Sequence, residues 1–437
     1  MAGGIHSRDK RGFKIFSKGL ELAVKILEIL EKNKDLILAR EQVFDSQRID
    51  QKSKEIATVI TNEVGRRLGV IDRIIEEAQE EELKKSSPLL RNALRVGTYL
   101  IYFDRKDING LIPVMTPFLE KKGGIGLVKR LAYVLRKVAK YKPKVEANIE
   151  DVCFWYYFFP KWITKKMVES FGEEKALMIM EEMNKTPYMS IRVNRRKVSV
   201  EEFAQKLREK YNYELEIVED MPFIKLGKNY PVMKIEEYKL GLFTVQDHVT
   251  ARGIREVMDL IPEGGTILDC CSAPGRKLSY LMQERTDIKV YAMDISLERL
   301  KRLVRDFERL EIELPYLIVG DASNIPLSTE FDLVILDVPC SGSGTWGKHP
   351  ERRWLTEENH YLECVDIQRK ILEEAKRFVK VGGYMLYSTC SLWKEENEEN
   401  INWFISLNDN FELVKEERNI PFKASTGFYH AILKRKG

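Results

Sequence analysis

Phe331-Asp-Leu-Val-Ile-Leu-Asp-Val-Pro-Cys-Ser-Gly-Ser-Gly-Thr345 joins a short apolar run to an acid, a proline-fixed turn and a thiol. The run is β-branched and nearly unbroken, as expected of a strand buried on both faces of a parallel sheet. Asp337 then falls at the strand's carboxyl end, where open α/β sheets bind ligands, and Ser341-Gly-Ser-Gly344 keeps the following loop free of bulk. A second run, Gly383-Tyr-Met-Leu-Tyr387, ends in Ser388-Thr-Cys-Ser391. Two thiols, Cys340 and Cys390, are therefore expected to face one cleft.

Three more apolar runs precede these, at Thr266–Cys270, Lys289–Met293 and Tyr316–Val319, and the last strand is read as Tyr384–Thr389. Helical segments at Leu278–Glu284, Leu297–Leu310 and Asp366–Lys380 separate them. Such alternation predicts a doubly wound, Rossmann-like parallel sheet with helices on both faces.

The first half of the chain reads differently. Leu20, Ala23, Val24 and Leu27 repeat at helical spacing, as do residues 56–68, 88–103 and 126–138, with Pro88 placed for a first turn. Before residue 150 no strand pattern appears, which predicts an all-α bundle. Residues 140–148 lose the periodicity and carry Pro143, so a linker is placed there. Trp155–Phe159 is an aromatic cluster read as a core anchor, followed by a helical stretch, Pro160–Met183. Met189–Asn194 and Tyr213–Val218 read as strands flanking a helix, Ser199–Lys210, opened by an N-capping serine. That pattern predicts a small α+β subdomain of RNA-recognition-like character, with Arg192 and Asn194 as candidate contacts to an RNA backbone. The chain is thus divided into three domains, 1–145, 146–255 and 256–437.

Charge is unevenly shared along the chain. Residues 1–145 hold 30 Lys+Arg against 19 Asp+Glu, a net of +11, while the remainder holds 42 against 49, a net of −7. A basic amino-terminal bundle suits a polyanion such as RNA. The amino terminus, with Arg8, Asp9, Lys10, Arg11 and Lys14, has no apolar core and is no secretory signal. The longest purely apolar run, Val152–Phe159, falls short of the ~18 residues that span a bilayer. A monomeric cytoplasmic protein is expected, with no membrane partner. Its cysteines, at 153, 270, 271, 340, 364 and 390, are expected to be reduced, and without a Cys-x-x-Cys pair no metal is expected.

Asp269-Cys-Cys-Ser-Ala-Pro-Gly-Arg-Lys277 closes the first strand of the sheet with a small-residue turn into a helix, which lets backbone N–H groups approach a ligand. It is neither Gly-x-Gly-x-x-Gly nor a Walker loop. Asp294, 19 residues past Gly275, ends the second strand where an acid accepts ribose hydroxyls, and Asp321 closes the third. Acids at successive strand ends, with no phosphate cradle, indicate a nucleoside site and favour S-adenosylmethionine over NAD. Read on the residues alone, Cys340, directly after Pro339, is the better candidate nucleophile of the two thiols.

Asp269–Lys277, Asp337–Thr345 and Ser388–Ser391 resemble, in order and spacing, the signature motifs of the Sun-type RNA (cytosine-5) methyltransferases, and most of all their bacterial small-subunit ribosomal-RNA members. Gly241-Leu-Phe-Thr-Val-Gln-Asp247 and Gly427-Phe-Tyr-His-Ala431 resemble further family segments. Ser87–Phe103 and Gly126–Arg136 are similar to the NusB-like RNA-binding domain that opens ribosomal-RNA methyltransferases. The departures are Arg276, where the family has glycine, Leu278, where it has threonine, and His248, where it has glutamate.

The resemblance implies a transferase that binds S-adenosylmethionine over Cys271, Ser272, Ala273, Pro274, Gly275, Arg276 and Lys277, with Asp294, Asp321 and Asp337. It assigns covalent attack on the base to Cys390, product release to Cys340, and recognition of the cytosine ring to Asp337; Lys277 would ease ionisation of the thiol. Ribosomal RNA is the expected substrate, ahead of transfer RNA. Two rival readings make other demands. A nicotinamide oxidoreductase needs the missing glycine fingerprint, and an RNA-binding assembly factor with a vestigial cofactor site would not need Cys390 or Asp337.

Overall fold

The computed structural model describes residues 5–46, 48–227, 230–423 and 425–437, with side chains from residue 11 onward. The chain forms two compact units, residues up to 180 together with 349–357, and residues 181–348 together with 358–437.

Helices Ile5–Asn33, Leu36–Asp45, Gln51–Arg66, Leu68–Gln79, Pro88–Thr98 and Ile108–Val138 build the first unit, and no strand occurs among its described residues. Leu20, Ala23, Val24 and Leu27 are all buried, as their spacing requires. Ser87 accepts a hydrogen bond from Leu90 N, with Pro88 in the first turn behind it. The long helix breaks at Gly124, whose φ of 72° favours glycine. Residues 349–357 leave the second unit's sequence and pack into this helical core. A Cβ on Gly69 would meet the Trp354 ring at 2.2 Å, and Trp354 Nε1 donates to Arg66 O at 3.0 Å. Within the aromatic cluster Phe159 is fully buried under the Arg353 guanidinium, while Tyr156 is exposed. Part of the basic excess is spent internally. Arg91 and Arg95 both bind Glu31 at 2.6 Å, and Arg95 binds Asp72 at 2.7 Å.

The second unit opens with a four-stranded antiparallel sheet in the order β2-β3-β1-β4, made of β1 (Met189–Val193), β2 (Leu215–Ile217), β3 (Phe223–Leu226) and β4 (Phe243–Val245). Helix Val200–Tyr211 packs on it, with Ser199 as its N-cap. The reading of Arg192 and Asn194 as RNA contacts is corrected here. Both are buried. Arg192 donates to Gln283 Oε1 at 3.1 Å, Arg276 O at 2.7 Å and Ser279 Oγ at 2.8 Å. Asn194 Nδ2 donates to Gly241 O and Leu310 O, each at 3.0 Å. A guanidinium buried in this way, with four of its donors given to protein acceptors, is not presented to a phosphate. These side chains fasten the small sheet to helices Arg276–Glu284 and Leu297–Leu310 instead.

The larger sheet has seven strands in the order β10-β11-β9-β8-β5-β6-β7. The five expected strands are β5 (Thr266–Asp269), β6 (Lys289–Asp294), β7 (Tyr316–Val319), β8 (Phe331–Asp337) and β9 (Val379–Thr389), all parallel. A carboxy-terminal antiparallel hairpin, β10 (Phe411–Asn419) and β11 (Phe428–Arg435), extends the sheet beyond β9. Helix His360–Ala375 stops short of the expected Lys380, because Val379 pairs with Phe331 and already belongs to β9. Alternate residues of β8 face opposite cores. Leu333 and Ile335 pack with helices Arg276–Glu284 and Leu297–Leu310, whereas Val334 and Leu336 pack with helices His360–Ala375 and Glu398–Leu407. Burial on both faces is why the strand is apolar throughout.

Candidate active site

β5 lies between β6 and β8, so the chain winds away from it in both directions and the strand ends on either side form an open crevice. Asp269, Asp294 and Asp337 close β5, β6 and β8 on that rim. Asp337 pairs in register with Ser388, which places the loop carrying Cys340 beside the one carrying Cys390. The two sulfur atoms lie 3.2 Å apart, both half-buried. Gly344 holds this approach open. Its N–H donates to Cys390 O at 2.9 Å, its carbonyl accepts from Gly427 N at 2.9 Å, and a Cβ there would meet Gly427 O at 2.4 Å.

Lys277, on the first turn of helix Arg276–Glu284, reaches Asp337 Oδ1 at 2.5 Å, and Ser388 Oγ donates to the same oxygen at 3.1 Å. The hydrogen bond from Cys340 pulls the Cys390 thiol below its ordinary value, against its burial and the charge of Asp337; the charge of Lys277 adds to the lowering. The same hydrogen bond, reinforced by burial, pushes the Cys340 thiol well above its ordinary value. Of the two thiols Cys390 is therefore the easier to ionise, and Cys340 the one that keeps its proton. The remaining thiols are different. Burial raises Cys153 to about 11 and Cys364 to about 12, and it holds Cys270 and Cys271 protonated.

Cofactor candidates fall on the same rim. Ala273 N donates to Asp294 Oδ2 at 3.2 Å and Ser296 N to Oδ1 at 2.9 Å, and Arg299 stands 3.3 Å from Oδ2. Gly275 has φ 88° and would drive a Cβ to 2.7 Å from Leu303, so this glycine serves close helix packing as well as the turn. Arg276 is exposed, and Leu278 is buried in the core. Asp321 is exposed at the end of β7 and accepts from Ser323 N and Oγ at 2.8 Å each. An adenosyl group fits these residues. Asp294 gives two lone pairs to backbone N–H groups and faces Arg299 with a third, which leaves one for a ribose hydroxyl, and Ile295 beside it is an apolar side chain left 69% exposed.

Two acids escaped the sequence reading as functional candidates. Asp269 was visible only as a strand end, yet burial, with the charge of Asp337 second, pushes its carboxyl up to about 7. A carboxyl raised in the folded state adds stability that is complete below its unfolded value of 3.8 and lost as pH rises through about 7. Asp269→Asn should therefore flatten the melting temperature over that interval, and an equal decline in parent and variant would exclude the assignment. Glu396 sits in Glu395-Glu-Asn-Glu-Glu399, a run that reads as a solvated helix start, yet it is fully buried. Glu256, Glu417 and His430 also converge, and there Lys415 and Arg252 already answer the carboxyl groups.

A doubly wound sheet with this strand order, acids on the rim and no phosphate cradle defines an S-adenosylmethionine-dependent methyltransferase. Residues 257–433 match the model of the 16S rRNA methyltransferase RsmB/F family, residues 159–232 its ferredoxin-like domain, and residues 18–140 the NusB family. The chain belongs to the RsmB/F family of ribosomal-RNA methyltransferases. It is 27% identical to ribosomal RNA small subunit methyltransferase B of Cronobacter sakazakii, over 95% of this chain and 97% of that protein. The crystal structure of PH0851 superposes with a TM-score of 0.86 at 30% identity, covering 96% of this chain and 99% of that one. A methyltransferase homolog from Pyrococcus horikoshii gives a TM-score of 0.58 at 26% identity, covering 67% of this chain and 100% of that one. No described helix is long and apolar enough to cross a membrane.

Proposed function

We propose that this methyltransferase acts on carbon 5 of a cytosine in structured ribosomal RNA, with Cys390 forming the covalent bond to the base. The observation that carries the reading is the 3.2 Å contact between Cys340 and Cys390 at adjacent strand ends, beside the Lys277–Asp337 pair. Carbon 5 of cytosine is a poor nucleophile. Addition of the Cys390 thiolate to carbon 6 breaks the ring's 5,6 double bond and moves its electron pair to carbon 5. The Asp337 carboxylate holds the base by accepting from its amino group, and from its ring nitrogen once attack has made that nitrogen basic enough to take a proton, and so stabilises the activated ring. When bound, S-adenosylmethionine supplies the methyl group that carbon 5 accepts. The proton of carbon 5 then passes to water in the open crevice, the electrons of that C–H bond restore the double bond, the carbon–sulfur bond breaks and Cys390 departs as thiolate, with Cys340 assisting by donating a hydrogen bond to the departing sulfur. Bisulfite sequencing of ribosomal RNA tests the reading. One cytosine should resist conversion in cells that carry the gene and convert in cells that lack it; identical patterns would reject the proposal.

The cofactor rests on Cys271–Lys277, with ribose on Asp294 and adenine towards Asp321. Losing hydrogen bonds to a charged group costs about 1.5–3 kcal/mol. Asp294→Ala should thus raise the S-adenosylmethionine Kd roughly 10- to 150-fold by calorimetry; an unchanged Kd would place the ribose elsewhere.

Of the proposed domains, 1–145 contributes RNA affinity through phosphates, 146–255 shapes the substrate side of the cleft and 256–437 carries the chemistry. Lys140, Lys142 and Lys144 are exposed and are the side chains assigned to phosphate. Replacing all three with glutamine should lower the slope of log affinity against log salt by about 2 to 3. An unaltered slope would make the basic excess a solvated face.

A further inference from the structure

Glu396 takes no part in the chemistry above, yet its carboxyl group is tied to both thiol loops. It accepts from Ser341 N at 2.8 Å, Ser341 Oγ at 2.6 Å and Gln368 Nε2 at 3.0 Å, and from Ser391 Oγ. Ser341 follows Cys340 in the chain, and Ser391 follows Cys390. Gln368 also donates to Pro339 O at 2.9 Å, so the residue before Cys340 is held as well. Ser343 completes the lattice, 3.3 Å from Ser391 Oγ and accepting from Leu392 N at 2.8 Å. Glu396 is itself fixed, because its carbonyl accepts from the Tyr387 hydroxyl at 2.6 Å.

A buried carboxyl is retained only where its lone pairs are met, and a network met in full is rigid. Two thiols on separate strand ends have no covalent reason to stay in contact. We propose that Glu396 is a positioning residue that sets the spacing of Cys340 and Cys390 by accepting hydrogen bonds from Ser341 and Ser391 at once. The inference rests on the reading of these thiols as the reacting pair. The charge of Glu396 also opposes ionisation of both sulfurs.

The test reads the thiol spacing directly. Diamide oxidises two neighbouring thiols to a disulfide and is itself reduced to the hydrazine, so the rate of Cys340–Cys390 bond formation, followed by mass spectrometry on the full chain, reports their approach. In Glu396→Gln the amide nitrogen replaces either Oε2, which accepts from both serine hydroxyls, or Oε1, which accepts from Ser341 N and Gln368 Nε2, so in either orientation two donors lose their acceptor. The rate is expected to fall at least ~10-fold, and kcat for methyl transfer ~100-fold, as for a displacement of about 1 Å, with KM for RNA and for S-adenosylmethionine retained. Should Glu396→Gln not fold, the Ser341→Ala/Ser391→Ala double variant removes both hydroxyl ties to Oε2 and should show a loss in the same direction. A folded variant that oxidises as fast as the parent overturns the proposal, whatever its melting temperature. The parent's own ability to form an RNA adduct tests the covalent chemistry separately, so the two failures are distinguishable.

Discussion

Cys390→Ala should abolish methyl transfer and leave no covalent protein–RNA adduct, whereas Cys340→Ala should accumulate an adduct that survives denaturation. This is the expected result of assigning attack to one thiol and release to the other. The sulfurs are 3.2 Å apart, so proximity alone does not separate them. Ionisation does, because Cys390 is pulled below the ordinary thiol value by the hydrogen bond from Cys340, which is itself pushed up. A thiol attacks as its thiolate, and of the two Cys390 ionises the more readily. Removing Cys340 leaves attack possible but slows elimination, so the intermediate builds up. Denaturing electrophoresis with labelled RNA and S-adenosylmethionine distinguishes the outcomes. Adduct in Cys390→Ala but not in Cys340→Ala would reverse the assignment and restore the reading that Pro-Cys alone suggests. Full activity in both variants would make the thiols structural.

Asp337→Asn should reduce methyl transfer on the order of 10²- to 10⁴-fold, the range for a positioned acid–base group. The substitution is nearly isosteric, but it removes the charge that faces Lys277 at 2.5 Å. The direction of a second readout makes the prediction specific. The charge of Asp337 holds the Cys390 thiol up, and that of Lys277 brings it down. Without the carboxylate, Cys390 ionises more readily, and its alkylation by iodoacetamide at a fixed pH should speed up while methylation collapses. If alkylation slows in step with methylation, Asp337 acts by preparing the thiol rather than by holding the base.

Both predictions concern residues that were legible before any coordinates, and the reason is local. Asp337, Cys340 and Cys390 stand immediately beyond runs whose composition marks strands buried on two faces. A parallel sheet brings the ends of such strands to one edge whatever their separation in sequence. Helix faces such as Leu20–Leu27 and caps such as Ser87 and Ser199 were legible likewise, because periodicity and N-terminal N–H groups impose short-range rules.

Pairing across the fold obeys no such rule. Arg192 and Glu396 look the same in the sequence whether solvated or buried, since charge pattern records residue type and not the company it keeps. Only the tertiary structure supplied Gln283, Ser279 and Arg276 O to one, and Ser341, Ser391 and Gln368 to the other. β3 and β4, at four and three residues, are too short to display an alternation. β10 is exposed along most of its length and so carries polar residues that hide its strand character. Trp354 was equally opaque. Its place against Gly69 depends on a segment that departs from one unit and packs in another. The amino-acid sequence by itself determined the three-part architecture, the five parallel strands and the placing of Asp337, Cys340 and Cys390 at or just beyond their ends, because each follows from burial and hydrogen bonding within a few residues. Which buried polar groups meet, and how closely the two thiols are held, was decided only by the tertiary structure, where residues distant in the chain complete one another's hydrogen bonds.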